Sequence, residues 1–132
     1  MLLPCEVAVK CLLPSVRAML AKELMAKHDV RQAEAAKLLG VSQPAISLYC
    51  REMRGKTINL ENDQDIQRLI EQLAKLLAKG NLSHKEFIPK FCEICKTTRA
   101  KGLLCQMHKT FDPSIDIESC ELCSVTNSMR CL

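Results

Sequence analysis

The chain has 132 residues, of which 48% are hydrophobic and 26% charged, a composition that fits one compact domain or two small ones and excludes global disorder. Aromatic residues make up only 3%, so binding of single-stranded nucleic acid by base stacking is not expected. No apolar run approaches the roughly 20 residues needed to cross a bilayer, and the chain does not start with a basic leader. We therefore expect a cytoplasmic protein that does not enter membranes.

The first predicted helix covers residues 14–27. Pro14 suits its opening turn, where a missing backbone N–H is harmless. Apolar residues recur at helical spacing on one face, namely Val16, Met19, Leu20 and Leu24. Residues 2–13 are mostly apolar, but this segment is too short for periodicity to separate helix from strand, and both stay open.

Residues 32–51 have the pattern of two short helices joined by a tight turn. Gly40 stands where the chain must turn sharply, and glycine adopts a positive φ without steric cost. Ser42 can cap the second helix, and Pro44 fits its first turn. Ala36 is small enough to let the two helices approach closely. The pattern predicts a helix-turn-helix that enters the DNA major groove, with an ordinary helical hairpin as the alternative.

The exposed face of the second helix is predicted to contact double-stranded DNA. The residues on that face are Ser42, Gln43, Pro44 and Ser47. Gln43 is the best candidate for reading a base, because its amide can pair bidentately with adenine, while the two serines suit phosphate. Basic residues that can neutralise phosphates follow the helix, namely Arg51, Arg54 and Lys56. Residues 1–58 carry nine Lys and Arg against five Asp and Glu, which accounts for the whole net charge of +4. A solvated basic face is the alternative for any one of these residues.

A long helix with an apolar stripe is predicted next. Asn62 can cap it, and it runs to Lys79 before Gly80 ends it. The stripe consists of Ile66, Leu69, Ile70, Leu73, Leu76 and Leu77. It can pack on the DNA-binding helices or pair with its copy in a homodimer. The two-fold symmetry common among helix-turn-helix proteins favours the homodimer.

From residue 81 onward prolines interrupt the chain, helical periodicity fades, and six of the nine cysteines lie after residue 91. A segment this short usually needs a metal or disulfide to fold, and metal is the better default in a reducing cytosol. The sequence therefore predicts three units: a helix-turn-helix DNA-binding domain over residues 1–58, a connecting or dimerisation helix over 59–80, and a cysteine-rich metal-binding domain over 81–132.

The metal ligands are predicted on paired Cys-x-x-Cys turns, since a tight turn with two intervening residues can direct both thiolates at one ion. Two matched turns supply Cys92, Cys95, Cys120 and Cys123. Rival ligands are Cys105, His108 and Cys131. The remaining cysteines, Cys5, Cys11 and Cys50, are expected to be buried small hydrophobic residues.

Four thiolates suit either zinc or an iron–sulfur cluster. The surplus of cysteines favours a cluster, whose gain, loss or oxidation can regulate DNA binding, whereas zinc would be structural. No enzyme is expected. A redox pair at Cys92 and Cys95 would be the enzymatic alternative, but the preceding residues show no strand alternation of the kind that accompanies such a dithiol.

The segments PCEVAVKCLLPSVRAMLAKEL and RQAEAAKLLGVSQPAISLYCREMRG resemble the N-terminal region of predicted archaeal helix-turn-helix transcriptional regulators of the phage-repressor (Xre) type, over about residues 4–80. In similar proteins this region can be fused to a ligand-sensing domain related to thiamine-phosphate synthase. The resemblance implies DNA binding through the four residues of the second helix, a dimeric state, and a sensing or regulatory module after residue 80. Here a cysteine-rich tail occupies that place, so thiamine-related sensing is not carried over.

These patterns together predict an all-α fold, a helix-turn-helix bundle with a long apolar-striped helix followed by a small metal-stapled domain. The predicted function is a sequence-specific DNA-binding transcriptional regulator whose C-terminal metal site is an iron–sulfur redox or iron sensor. The alternative is the same DNA-binding protein with a structural zinc domain, acting as an antitoxin-like or adaptor module that docks a partner on the long apolar helix.

Overall fold

In a computed structural model of the protein, the described residues are 3–50, 60–80, 82–120 and 123, and of residue 50 only the backbone is described. Over these ranges the regular secondary structure is all helical, as predicted. The helices are α1 (Pro4–Val7), a π-helical turn (Ala8–Leu12), α2 (Leu13–Lys27), α3 (Gln32–Leu39), α4 (Gln43–Cys50), α5 (Gln64–Ala78), α6 (His84–Ala100) and α7 (Cys105–Phe111). Within the same ranges, no helix combines the length and apolar character of a membrane span.

The first helical run continues without a break from Pro4 to Lys27, so the segment for which the sequence left helix and strand open is helical from Pro4 onward. Pro14 lies in the first turn of α2 and cannot donate an N–H to the carbonyl of Lys10. The π-helical turn ends at Leu12, two residues before this proline, and a wider turn at this place suits a proline ring that would crowd the carbonyl four residues earlier.

Helix α2 lies at the centre of the fold and packs against α3, α4 and α5. Its buried residues are Ser15, Val16, Ala18, Leu20, Ala21 and Leu24. They spread over more than one face because the helix is covered from several sides. The buried Ser15 hydroxyl donates a hydrogen bond to the Cys11 carbonyl (2.9 Å), which satisfies the polar group within the helix.

Helix α5 begins one residue later than predicted. Asp63, not Asn62, is the N-cap, and its carboxylate accepts the N–H groups of Asp65 (3.0 Å) and Ile66 (3.1 Å). Ile66, Ile70, Leu73 and Leu77 of the stripe are buried, as is Ala74, while Leu69 and Leu76 are half-buried. They pack against α2 and α6 within the same chain. Of the two uses predicted for the stripe, the structure shows packing inside the chain. The homodimer stays a prediction.

Helix α6 crosses a region that the sequence analysis expected to be irregular. Ser83 and Glu86 form a capping box, in which Ser83 N–H donates to Glu86 Oε2 (2.8 Å) and Glu86 N–H donates to Ser83 Oγ (3.3 Å). Pro89 lies inside the helix without ending it. The expectation that helical structure fades after residue 81 is therefore wrong, because a strong start signal outweighs one proline.

The part of the chain after residue 81 shares its core with the N-terminal helices. Ile94 and Leu104 are buried in the same hydrophobic cluster as Leu20 and Ile66. Helix α6 packs on α5, and α7 contacts α1. The division into three units stays a prediction, but in the described residues all three contribute to one buried cluster.

Candidate functional site

Gly40 ends α3 in a left-handed conformation, with φ 67° and ψ 32°. Its N–H donates to the Lys37 carbonyl (3.4 Å), and the N–H of Val41 donates to the Ala36 carbonyl (3.0 Å). These two bonds form a Schellman motif, which satisfies carbonyls that the end of a helix otherwise leaves free. The chain reverses within the three residues between α3 and α4.

Ser42 caps α4, as predicted. Its hydroxyl accepts the N–H of Ala45 (3.2 Å), and its carbonyl accepts the N–H of Ile46 (3.3 Å). Pro44 lies at the second position of α4, where no intrahelical donor is needed. Gly40 on one side of the turn and Ser42 on the other thus determine where α3 ends and where α4 begins.

The two helices pack through small side chains. Ala36 on α3 and Ala45 on α4 are buried, together with Ile46 and Tyr49. Helices α3 and α4 contact each other, and both contact α2. The small side chain predicted at residue 36 is thus buried where these helices meet the core.

The predicted DNA-contacting face lies mostly in solvent. Ser42, Gln43 and Pro44 are exposed, and Ser47 is half-buried. The predicted phosphate contacts at Arg51, Arg54 and Lys56 lie outside the described residues. Two further basic residues of the same unit, Arg31 before α3 and Lys37 within it, are exposed. Both belong to the excess of basic residues counted over residues 1–58, but neither was among the predicted DNA contacts.

The first predicted pair of metal ligands lies in a helix and not in a tight turn. Cys92 and Cys95 belong to α6, one turn apart, so they lie on the same side of the helix. Both thiols are half-buried. The prediction that these two cysteines lie in a tight turn is wrong, because helix α6, which starts at the capping box of Ser83, continues through both of them.

The other predicted ligands are spread over the C-terminal part. Cys105 begins α7, and His108 follows one turn later in the same helix. Cys120 is exposed and Cys123 is half-buried. Cys131 lies outside the described residues.

The charges of several cysteines act on one buried arginine. Arg99 is only 5% exposed, and its Nε–H has no hydrogen-bond partner in the described structure. Burial alone would lower the pKa of Arg99, but a hydrogen bond with Cys123 and the charges of the Cys123, Cys95 and Cys5 thiolates raise it. We call Arg99, Cys5, Cys95 and Cys123 the Arg99 cluster.

Cys105 adjoins this cluster. Burial raises the pKa of its thiol, and the charges of Cys123 and Cys120 raise it further. The thiol stands next to the turn at Gly102, where an added Cβ would lie 3.9 Å from Cys105 Sγ. Cys123 therefore lies near both Arg99 and Cys105.

The predicted ligand set and the Arg99 cluster agree only in part. Among the described residues, no three Cys, His, Asp or Glu side chains are already arranged to hold a metal ion. Cys95 and Cys123 belong to both sets. Cys5 was expected to be a buried hydrophobic residue, but it is exposed, whereas Cys11 is buried as expected. The side chain of Cys50 lies outside the described residues.

Comparison with known proteins gives no relatives. No family model, no curated protein and no solved structure matches the chain. Any function is therefore inferred from the geometry described above.

Proposed function

We propose that the protein is a sequence-specific transcriptional regulator that binds double-stranded DNA through α3 and α4. The observation that carries this proposal is the turn between them, in which Gly40 ends α3 in a Schellman motif and Ser42 caps α4 only two residues later. This connection leaves the N-terminal end of α4 exposed, and helix-turn-helix proteins present that end of the second helix to base edges in the major groove. An ordinary helical hairpin has no such requirement for an exposed polar N-terminal end.

The residues of this end have distinct proposed roles. Gln43 is exposed, and its amide can donate to and accept from the edge of an adenine. Ser42 and Ser47 suit phosphate contacts, and Pro44 keeps the first turn of α4 rigid. The exposed Arg31 and Lys37 supply charge neutralisation. In the proposal Arg51, Arg54 and Lys56, which lie outside the described residues, also contribute. A homodimer that reads two half-sites of a palindrome is part of the proposal.

The test uses operator DNA selected from a randomised double-stranded pool by the full-length protein. The Gln43→Ala variant is compared with Gln106→Ala, which removes an exposed glutamine from α7. We expect Gln43→Ala to weaken operator binding by roughly 5- to 150-fold, or about 1 to 3 kcal/mol, and to relax the preference for one base. Gln106→Ala should bind like the wild type.

Two results would contradict the assignment. Unchanged affinity and base preference in Gln43→Ala would show that α4 is not the recognition helix. A binding constant that stays flat as salt is raised would argue against DNA as the partner, because phosphate contacts by lysine and arginine release counterions. Operator symmetry, read from the selected pool, tests the homodimer.

We further propose that the C-terminal cysteines hold a metal centre that makes DNA binding responsive to iron or redox state. The support is that six of the nine cysteines follow residue 91 and that Cys123 forms a hydrogen bond with the buried Arg99. An iron–sulfur cluster is favoured over zinc because more cysteines are present than one zinc needs. Purification without oxygen, followed by visible absorption and measurement of iron, sulfide and zinc per chain, distinguishes the two metals.

A second candidate function is partner docking with a structural zinc. The apolar face of α5, which was expected to be the docking face, is mostly buried within the chain. The observation that favours this candidate is the exposure of three large apolar side chains, since Leu3, Val9 and Phe111 are 59%, 63% and 42% exposed. One zinc per chain together with no selected operator would favour docking over regulation of transcription.

A further inference from the structure

The start of the first helical run has one face in the core and one face in solvent. Four of its residues are buried, namely Val7, Ala8, Cys11 and Leu12. The exposed residues of the same segment are Leu3, Cys5, Glu6, Val9 and Lys10. At helical spacing the two sets fall on opposite sides of the run. We call the exposed set the outer face of α1.

Large apolar side chains of this outer face lie in solvent beside a groove. Leu3 and Val9 are more than half exposed. Helix α7 contacts α1, and its exposed Phe111 lies beside the face, since Lys10 Nζ is 5.3 Å from the centre of the Phe111 ring. An open groove of about 320 Å³ is lined by Cys5, Glu6, Val9 and Lys10. Exposed apolar side chains that adjoin a groove are typical of an interaction surface.

The charges of the outer face make it complementary to a second copy of itself. Glu6 and Lys10 are both exposed and lie four residues apart, about one helical turn. When two such faces meet around a two-fold axis that passes between these positions, Glu6 of each copy faces Lys10 of the other. A different protein would need a matching pattern of its own, whereas a second copy of this chain already has it.

We propose that the outer face of α1, together with Phe111, is the interface of a homodimer in which Glu6 and Lys10 form two reciprocal ion pairs. This inference rests on the homodimer of the proposed function and assigns its interface. The apolar face of α5 is mostly buried within the chain, whereas Leu3, Val9 and Phe111 are exposed. In the dimer, apolar side chains of each copy fill the groove of the other.

A dimer through this face connects the two DNA-binding units through packed helices. Helix α1 continues through the π-helical turn into α2, and α2 packs against both α3 and α4. The position of each outer face therefore sets the position of α4 in the same copy. A palindromic operator requires a fixed spacing between two recognition helices, and this connection supplies it.

The experiment measures the mass of the full-length protein by sedimentation equilibrium over a range of protein concentrations. A reductant is present, so that disulfides between copies do not contribute. We expect the wild type to reach twice the 14.8 kDa of one chain. Val9→Asp should raise the dimer dissociation constant at least about 10-fold, because both halves of the interface lose an apolar contact and gain a like charge. Ala33→Asp, at an exposed alanine of α3, should associate like the wild type.

Charge reversal tests the ion pairs separately from the apolar contacts. Glu6→Lys places like charges opposite each other, and we expect the dissociation constant to rise at least about 10-fold. Lys10→Glu should have the same effect. The variant with both reversals restores opposite charges across the axis and should recover most of the wild-type association. Glu93→Lys, at an exposed acid of α6, is the matched control and should leave association unchanged. Circular dichroism confirms equal helix content in each variant beforehand.

Wild-type association in both Val9→Asp and Glu6→Lys would overturn the inference while leaving a homodimer in place. A double reversal that associates no better than the single variants would also overturn it. A wild type that stays at 14.8 kDa at every concentration would overturn both the interface and the homodimer. Binding to DNA with one half-site is measured separately and should be the same in Val9→Asp and the wild type, so that failure of the dimer is distinguished from failure of the DNA-binding proposal.

Discussion

Lys101 Nζ, just beyond the last residue of α6, lies 3.0 Å from Asp63 Oδ2 at the N-cap of α5. The same ammonium group lies 2.6 Å from Asp65 Oδ2. Asp63 thus accepts from two backbone N–H groups of its own helix and from a side chain of the next one. One carboxylate therefore both starts α5 and fixes the end of α6 against it.

This ion pair predicts a loss of stability in acid. The hydrogen bond from Lys101, followed by the backbone bond from Ile66, lowers the pKa of Asp63 below its ordinary value of 3.8. A lowered pKa in the folded state gives stability that is present above 3.8 and is lost as the pH falls through the lowered value. We expect Lys101→Met to flatten the decrease in unfolding free energy below about pH 4, measured by urea denaturation. Lys75→Met, an exposed lysine on α5, should keep the wild-type profile.

The accuracy of the sequence predictions depended on how local each signal was. The turn at Gly40 could be predicted because the glycine and the capping Ser42 act within a few residues. The cap of α5 was missed by one position, because Asn62 and Asp63 are both good caps and only the backbone decides between them. The start of α6 was missed although its capping box is a local signal.

Relationships between distant parts of the chain could not be predicted. The periodicity of α5 identified an apolar stripe but not its partner, which is α2 and α6. The packing of α1 against α7 joins helices about 100 residues apart in the chain, and sequence spacing gives no signal for it. The Cys-x-x-Cys spacing in α6 was interpreted as a tight turn. The same spacing also fits one turn of a helix, so spacing alone could not distinguish the two.

Replacement of Gly40 tests the turn between α3 and α4. Its φ of 67° is costly for a residue with a Cβ, although an added Cβ would have no atom within 4 Å. We expect Gly40→Ala to lower the unfolding free energy by about 1 to 2 kcal/mol. Gly40→Asn should cost less, because asparagine tolerates the left-handed region better than alanine. Equal stability of Gly40→Ala and the wild type in urea denaturation would contradict the backbone conformation described for this residue.

The capping box of α6 predicts a stability difference between two hydroxyl residues. Ser83→Ala removes the acceptor of the Glu86 N–H, and we expect a loss of about 1 kcal/mol in thermal or urea unfolding. Thr97→Ala on the same helix removes a hydroxyl that only donates to the Glu93 carbonyl. It should change stability by less than about 0.5 kcal/mol. If both variants lost the same amount, the start of α6 would not depend on this cap.

The close packing of α3 predicts that leucine substitutions at two alanines of that helix differ in their effect on stability. Ala36 is 6% exposed among the core residues, while Ala33 lies in solvent. We expect Ala36→Leu to lower the unfolding free energy by about 1 to 3 kcal/mol, since a larger side chain there forces neighbouring side chains and backbone to shift. Ala33→Leu should be within about 0.5 kcal/mol of the wild type.

If α3 and α4 also form the DNA-binding unit, Ala36→Leu should weaken operator binding at a temperature where the variant is still folded, because the shift of backbone and side chains changes the angle of α4. Full operator affinity in a folded Ala36→Leu variant would separate the packing of these helices from DNA recognition.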